Sequence, residues 1–244
     1  MDSITVQEDE FLSKIRMEKS YSRKNIIYLQ RKAFHIVVMQ KNSTPSSYRQ
    51  ELRQKILAAA MQDFRERGVK AVKMDDVASR LSISKRTLYE IYHNKEDLLS
   101  ECLCYHDAEF ERKLAASLNA DSTVMDVLIQ FMRMHIEESS KTNPQFFSDL
   151  AKYPKVMAYI ETRNEKSRQR SEGFMRRGVE EGFFRNDVDF GIINLMADVF
   201  KSYVIENELY KLYPLSEIFR NVIMVMLRGF CTPKGLEYFE KYDI

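Results

Sequence analysis

Glycine and proline are scarce: the 244-residue chain holds 7 of one and 5 of the other, together well below the roughly 12% of average usage. Both are poor residues for helix interiors, so their scarcity favours helices. Pro45, Pro144, Pro154, Pro214 and Pro233 all fall between amphipathic segments and interrupt none, as punctuation between helices should. No apolar run reaches the roughly 18 residues of a membrane span, and the acidic start, residues 1–10, lacks the basic and apolar regions of a signal peptide. A cytoplasmic location is therefore expected. Cys102, Cys104 and Cys231 make an odd count without metal-ligand spacing, and read as core or surface thiols. The four histidines, His35, His93, His106 and His135, are scattered and form no His-x-x-x-His pair, and no nucleophile motif is visible. Neither a metal nor a cofactor is expected, and catalysis is disfavoured. His135 with Glu138 invites a ligand reading, although a satisfied helical histidine is commoner. Alternating strands, repeats and Gly-rich phosphate loops are also missing.

What is present is a front-loaded positive charge. The net charge is +2, but residues 1–48 and 49–97 each sum to +3 while residues 98–244 sum to −4. Nucleic acid, if bound, meets the front of the chain.

Apolar spacing predicts a first helix over 49–67 through Leu52, Ile56, Ala59, Ala60 and Phe64, stopped by Gly68. Met74, Val77, Ala78 and Leu81 mark a short second helix. Ser82-Ile83-Ser84 interrupts the pattern, and Ser84 is a suitable N-cap for a third helix through Leu88, Ile91 and Tyr92. Asn94-x-x-Asp97 opens a fourth helix running to about Ser117, and Thr123-x-x-Asp126 a fifth ending near Ser140. Asn143-Pro144 starts a sixth, and Pro154 a seventh that closes at Gly182. Two broad-faced packing helices follow, 187–210 with Ile192, Leu195, Met196, Val199 and Tyr203, and 215–228 with Ile218, Val222, Val225 and Met226. Residues 1–48 read as an N-terminal extension, a frayed tail or a basic arm with a helix over 25–39. Met39 is the alternative start, which would leave residues 1–38 outside the native protein.

Three short helices with a basic third one form the geometry that places a helix in the major groove. The residues that compose them are Ile56-Leu57-Ala58-Ala59-Ala60, Phe64, Gly68, Met74-Asp75-Asp76-Val77-Ala78, Ile83-Ser84-Lys85-Arg86-Thr87-Leu88-Tyr89, Tyr92 and Lys95-Glu96-Asp97-Leu98-Leu99. In order and spacing these resemble the DNA-binding domain of TetR/AcrR-type transcriptional regulators over about 50 residues. A weaker resemblance lies in Gly178-Val179-Glu180-Glu181-Gly182-Phe183-Phe184-Arg185 before Asp187-Val188-Asp189, a segment that in the family leads into the dimerisation helices. The chain departs from the family at Ser82, where the turn glycine is usual, and at Lys73, where a hydroxyl N-cap is usual. Ser82 must then adopt a left-handed conformation at some cost, and Lys73 reaches for a phosphate instead of capping.

The resemblance implies an all-α protein: a helix-turn-helix domain over 49–97, then an all-helical effector-binding and dimerisation domain over 98–244. It implies a homodimer paired through the last two long helices, acting on a near-palindromic operator of double-stranded DNA as a repressor released by a small-molecule effector. Lys85, Arg86 and Thr87 would meet base edges, Arg86 pairing with guanine and Thr87 touching a thymine methyl. Ser84 caps their helix, and Lys73, Tyr89, Tyr92, His93 and Lys95 would hold phosphates. Tyr89 and Tyr92 are equally readable as packing residues. Phe110, Phe131, Met134, His135, Phe146, Phe147, Phe174 and Met196, with Met125 and Met132, supply side chains for an apolar effector pocket, though each is individually more common as plain core. The rival to the effector reading is a helical domain that recruits a protein partner.

Overall fold

A computed structural model describes residues 47–242 of the chain; the expected extension up to residue 46, with its helix over 25–39, its alternative start at Met39 and His35, lies outside them. Every regular element among the described residues is a helix, and the only extended pairing found among them is an isolated bridge between Phe184 and Cys231.

Helix α1, Ser47–Arg67, is exposed over residues 48–51 and buries Ile56, Leu57, Ala60 and Phe64 thereafter. Gly68 closes it at φ +80, a conformation that costs glycine nothing. In α2, Met74–Arg80, the cap is half of a box: the Lys73 backbone N–H donates to Asp76 Oδ2 at 3.0 Å, since an ammonium cannot accept the reciprocal bond. Ser82 stands at φ 52, the left-handed turn anticipated for it. The Ser84 hydroxyl then accepts from Thr87 N at 3.0 Å and starts α3, Lys85–Ile91.

Asn94 caps α4, Lys95–Ala116, through Asp97 N at 2.8 Å, and the Thr123/Asp126 box starts α5, Val124–Ser140, as expected. Helix α6, Gln145–Leu150, follows Pro144 by one residue, and α7, Pro154–Glu180, carries its proline at the first position. The next helix, α8, spans Phe190–Glu206, shorter than the expected 187–210. The Asp189 carboxylate accepts from Gly191 and Ile192 N–H groups, so the helix cannot begin earlier, and Glu208 at φ 53 ends it ahead of a 3-10 turn, Leu209–Lys211. Helix α9, Leu215–Phe230, runs two residues beyond expectation. A last helix, α10, Pro233–Glu240, went unforeseen, although Thr232-Pro233 pairs a hydroxyl N-cap with a proline at the first helical position.

Two cores hold these helices. One joins α1, α2 and α3 to Leu98, Leu99 and Cys102 of α4, Phe146 and Leu150 of α6 and Val156 of α7. The other gathers Val124, Met125, Ile129 and Met132 of α5 around Phe183, Phe184, Leu227, Phe230 and Phe239. Cys102 and Cys231 are buried and Cys104 is exposed, and all three are free thiols.

Candidate nucleic-acid interface

Leu88, fully buried, and half-buried Ile91 pin one face of α3 to the first core. A helix of seven residues has only one opposite face, and here it carries Lys85, Arg86, Tyr89 and Glu90, all exposed. Arg86 is the most open, its side chain 88% accessible, and it leans on Glu90 one turn along with Nε 2.9 Å from Oε1. Lys85 pairs back to Asp75 of α2 across the turn. These bonds raise the pKa of both cations, so both stay charged. Thr87 is half-buried, with Oγ1 2.8 Å from Ser84 Oγ inside the N-cap. Exposed Lys73 and His93 flank this surface, one before α2 and one after α3. Exposed surface ion pairs of this kind are weak, so a phosphate or base edge can displace the carboxylates.

Two expected phosphate contacts are corrected. Tyr92 is 2% exposed, and its ring belongs to the first core with the Arg53 guanidinium 5.9 Å from its centroid. Its hydroxyl is buried without a hydrogen-bond partner, and burial pushes the phenol pKa up. Lys95 is half-buried, and its Nζ donates to the carbonyls of Val69 at 3.0 Å and Val72 at 2.9 Å. It closes the corner between α1 and α2, and burial lowers its pKa. The N-terminus of α4 keeps its partial positive charge, but the Lys95 side chain is committed elsewhere.

The residues expected to line an effector pocket are dispersed. Phe110 of α4 meets Phe131 and His135 of α5 with ring centroids 5.8 and 4.6 Å away, and Met134 lies half-buried beside them in sequence. Phe146 and Phe147 pack edge to face within or against the first core, and Phe174 packs on Phe184 in the second, as Met125 and Met132 also lie in it. Met196 is 57% exposed on α8. Helical periodicity marks which residues face inward but not which core receives them. His135 spends its ring on aromatic neighbours, while Glu138 contacts His106. Sequence reasoning missed an open cleft of about 460 Å³ between α3, α4 and α7, lined among others by Tyr92, Glu101, Cys104 and Tyr159. Its lining is spread from Ile91 to Tyr159, and no local pattern reveals it.

Along α8, Ile192, Leu195, Met196, Val199 and Tyr203 are 53–60% exposed. Their spacing puts them on one stripe, and Val225 of α9 is more exposed still. No helix among the described residues is long and apolar enough to cross a membrane, and no group of His, Cys, Asp or Glu among them is placed to hold a metal ion.

Residues 56–102 match the family of bacterial regulatory proteins known as the tetR family. The transcriptional repressor KstR2 of Mycobacterium tuberculosis H37Rv is 30% identical over 144 residues, covering 56% of this chain and 70% of that protein. KstR2 of Mycolicibacterium smegmatis is 30% identical over 157 residues, 62% of this chain and 74% of the relative. A solved TetR transcriptional regulator of Chloroflexus aurantiacus shares the fold with a TM-score of 0.58 at 16% identity, covering 75% of this chain and 98% of its own. All three carry names of transcription regulators. The chain belongs to the TetR family, and it is a DNA-binding transcription regulator with a helix-turn-helix head.

Proposed function

We propose that the chain is a homodimeric repressor that binds a near-palindromic operator through α3 and is released by a small molecule. The observation that carries this reading is the exposed Lys85-Arg86-Tyr89 face of a helix whose other face is locked into the core by Leu88. Arg86 and Thr87 read base edges, Lys85 supports them, and Lys73, Tyr89 and His93 hold phosphates. Residues 49–97 form the operator-binding head and residues 98–244 the effector and dimerisation part. The first core runs across that boundary through Leu98, Leu99 and Cys102, so a shift in α4 reaches the head directly.

One head reads one half-site, and useful specificity needs two. The uncovered stripe on α8, with Val225 on α9, supports a symmetric pairing of the two helices with those of a second copy. The nearest thing to an effector surface is the Phe110, Phe131 and His135 cluster. Repression is the mode that the names of the similar proteins carry.

A footprint on DNA from the protein's own gene neighbourhood, beside an Arg86→Ala variant, tests the reading. Wild type should protect a near-palindrome, and the variant should lose about 1–3 kcal/mol of binding with relaxed specificity at one position per half-site. Equal protection by both proteins, or no sequence preference in a genome-wide selection, rejects it.

A further inference from the structure

Arg65 stands in the last turn of α1, its side chain only 19% exposed. Its Nε donates to Thr142 Oγ1 at 2.9 Å, in the turn after α5, and its Nη2 to the Glu138 carbonyl at 2.8 Å, in the last turn of α5. The backbone repeats the tie, with Asn143 N donating to the Arg65 carbonyl at 2.7 Å. Nη1 lies 3.1 Å from His106 Nε2 on α4. One guanidinium thus joins the first helix of the DNA-binding head to two helices of the remaining fold.

His106 Nε2 has a second claimant, Glu138 Oε1, also at 3.1 Å. A guanidinium only donates and a carboxylate only accepts, while Nε2 carries either a lone pair or a proton. The two contacts therefore exclude each other as hydrogen bonds. A neutral ring with its proton on Nδ1 accepts from Arg65. A ring with its proton on Nε2 donates to Glu138 and leaves Arg65 without its bond to α4. Around this ring stand Arg65 from α1, Glu138 and His135 from α5, and Asp107 from α4 itself, whose carboxylate is 4.0 Å from Nδ1. Asp107 is in turn held by Tyr159 Oη at 2.7 Å and Arg163 Nη1 at 3.2 Å from α7.

We propose that Arg65 is a positioning residue for operator binding and that His106 switches its clamp, holding α1 through Arg65 when Nε2 is bare and holding α5 through Glu138 when Nε2 is protonated. Full protonation also sets an imidazolium beside the guanidinium, which loosens the head. A loosened head must be ordered again on DNA, so acid weakens operator binding. Burial opposes charge on His106, but its contacts with Asp107 and Glu138 outweigh that and raise its pKa, which brings the switch toward neutral pH.

The proposal rests on the operator-binding reading, and two measurements separate them. The first is fluorescence anisotropy on an operator duplex recovered by selection from genomic fragments, at constant ionic strength from pH 5.5 to 8.5. Proteins carry His93→Gln, to silence the imidazole beside the DNA, with and without His106→Gln. Acidification should weaken binding by the protein with His106 about threefold or more beyond the change in the double variant, the scale of one neutral hydrogen bond. Glu138→Gln should shift the midpoint to lower pH, and it serves alone if His106→Gln does not fold. A merely structural His106 would lower affinity equally at every pH, so parallel profiles overturn the switch, as does tighter binding in acid.

The second measurement needs no DNA: amide exchange over residues 64–68, corrected for intrinsic rates, should quicken at pH 5.5 in wild type and not in His106→Gln. Identical protection in both proteins at both pH values refutes the clamp even where operator binding stands. A clamp seen by exchange without affinity for any duplex rejects its role in operator binding.

Discussion

Gly178→Ala poses local propensity against tertiary packing with opposite signs. Gly178 lies near the end of α7, and a glycine-to-alanine change inside a helix gains about 1 kcal/mol from propensity alone. A Cβ at this position would sit 1.9 Å from Phe184 Cδ2 and 2.3 Å from Cε2. Carbon atoms pack at about 3.5–4.0 Å, so the ring would have to retreat by roughly 1.5–2 Å. It has little room: Phe184 is 2% exposed and meets Phe230 at 5.2 Å with a 90° interplanar angle, and Phe174 and Phe190 at 6.1 and 6.3 Å. Overpacking of this kind costs about 1–3 kcal/mol, and so large a displacement belongs at the upper end. The net expectation is a loss of about 1–2 kcal/mol, and at roughly 2–4 °C per kcal/mol for a protein of this size a Tm lower by about 2–8 °C. Differential scanning calorimetry at fixed pH and protein concentration reads it, the concentration being fixed because dimerisation itself moves Tm. An unchanged or raised Tm would show that the ring yields freely and would refute the packing argument.

Tyr92→Phe removes a buried hydroxyl without a partner and should stabilise the fold by about 1 kcal/mol with operator affinity unchanged; a fivefold drop in affinity would restore Tyr92 as a phosphate contact. Asp149 is fully buried and accepts from Lys70 N at 2.8 Å and Lys152 Nζ at 2.6 Å; burial works against its charge, but these bonds outweigh it and lower its pKa. Its contribution is therefore present above the unfolded carboxylate pKa and lost as pH falls through the folded one. Asp149→Asn should cost about 1–3 kcal/mol in urea denaturation at pH 7, and the cost should shrink steadily as pH falls below the ordinary carboxylate value; a cost independent of pH would contradict this. Leu195→Glu puts two unpaired carboxylates into a symmetric α8 pairing and should raise the dimer dissociation constant about 100-fold or more in sedimentation velocity; unaltered sedimentation would move the interface elsewhere.

Most helix boundaries were legible because their determinants lie within a few residues of each other. Ser84 to Thr87, Asn94 to Asp97 and Thr123 to Asp126 are caps closed over three positions, and Gly68 at positive φ stops α1 where its residue type says it should. The helix-turn-helix order is readable for the same reason, and so is the exposed Lys85-Arg86 face once Leu88 is placed inward. Helix α8 starts at Phe190 and not at Asp187 because the Asp189 carboxylate, accepting from the Gly191 and Ile192 N–H groups, is the cap.

What the sequence determined by itself is this local layer: the helices, their caps and the family to which their order belongs, all encoded in hydrogen bonds and periodicities spanning three to seven residues. The tertiary structure alone decided which polar groups are free to meet DNA and which are already engaged. Lys95 reaches back to Val69 and Val72, Tyr92 enters the core beneath Arg53, and Arg65 reaches Glu138 and His106 across more than forty residues of chain. Such contacts depend on where the chain returns, and a lysine or tyrosine carries no mark of its eventual neighbour.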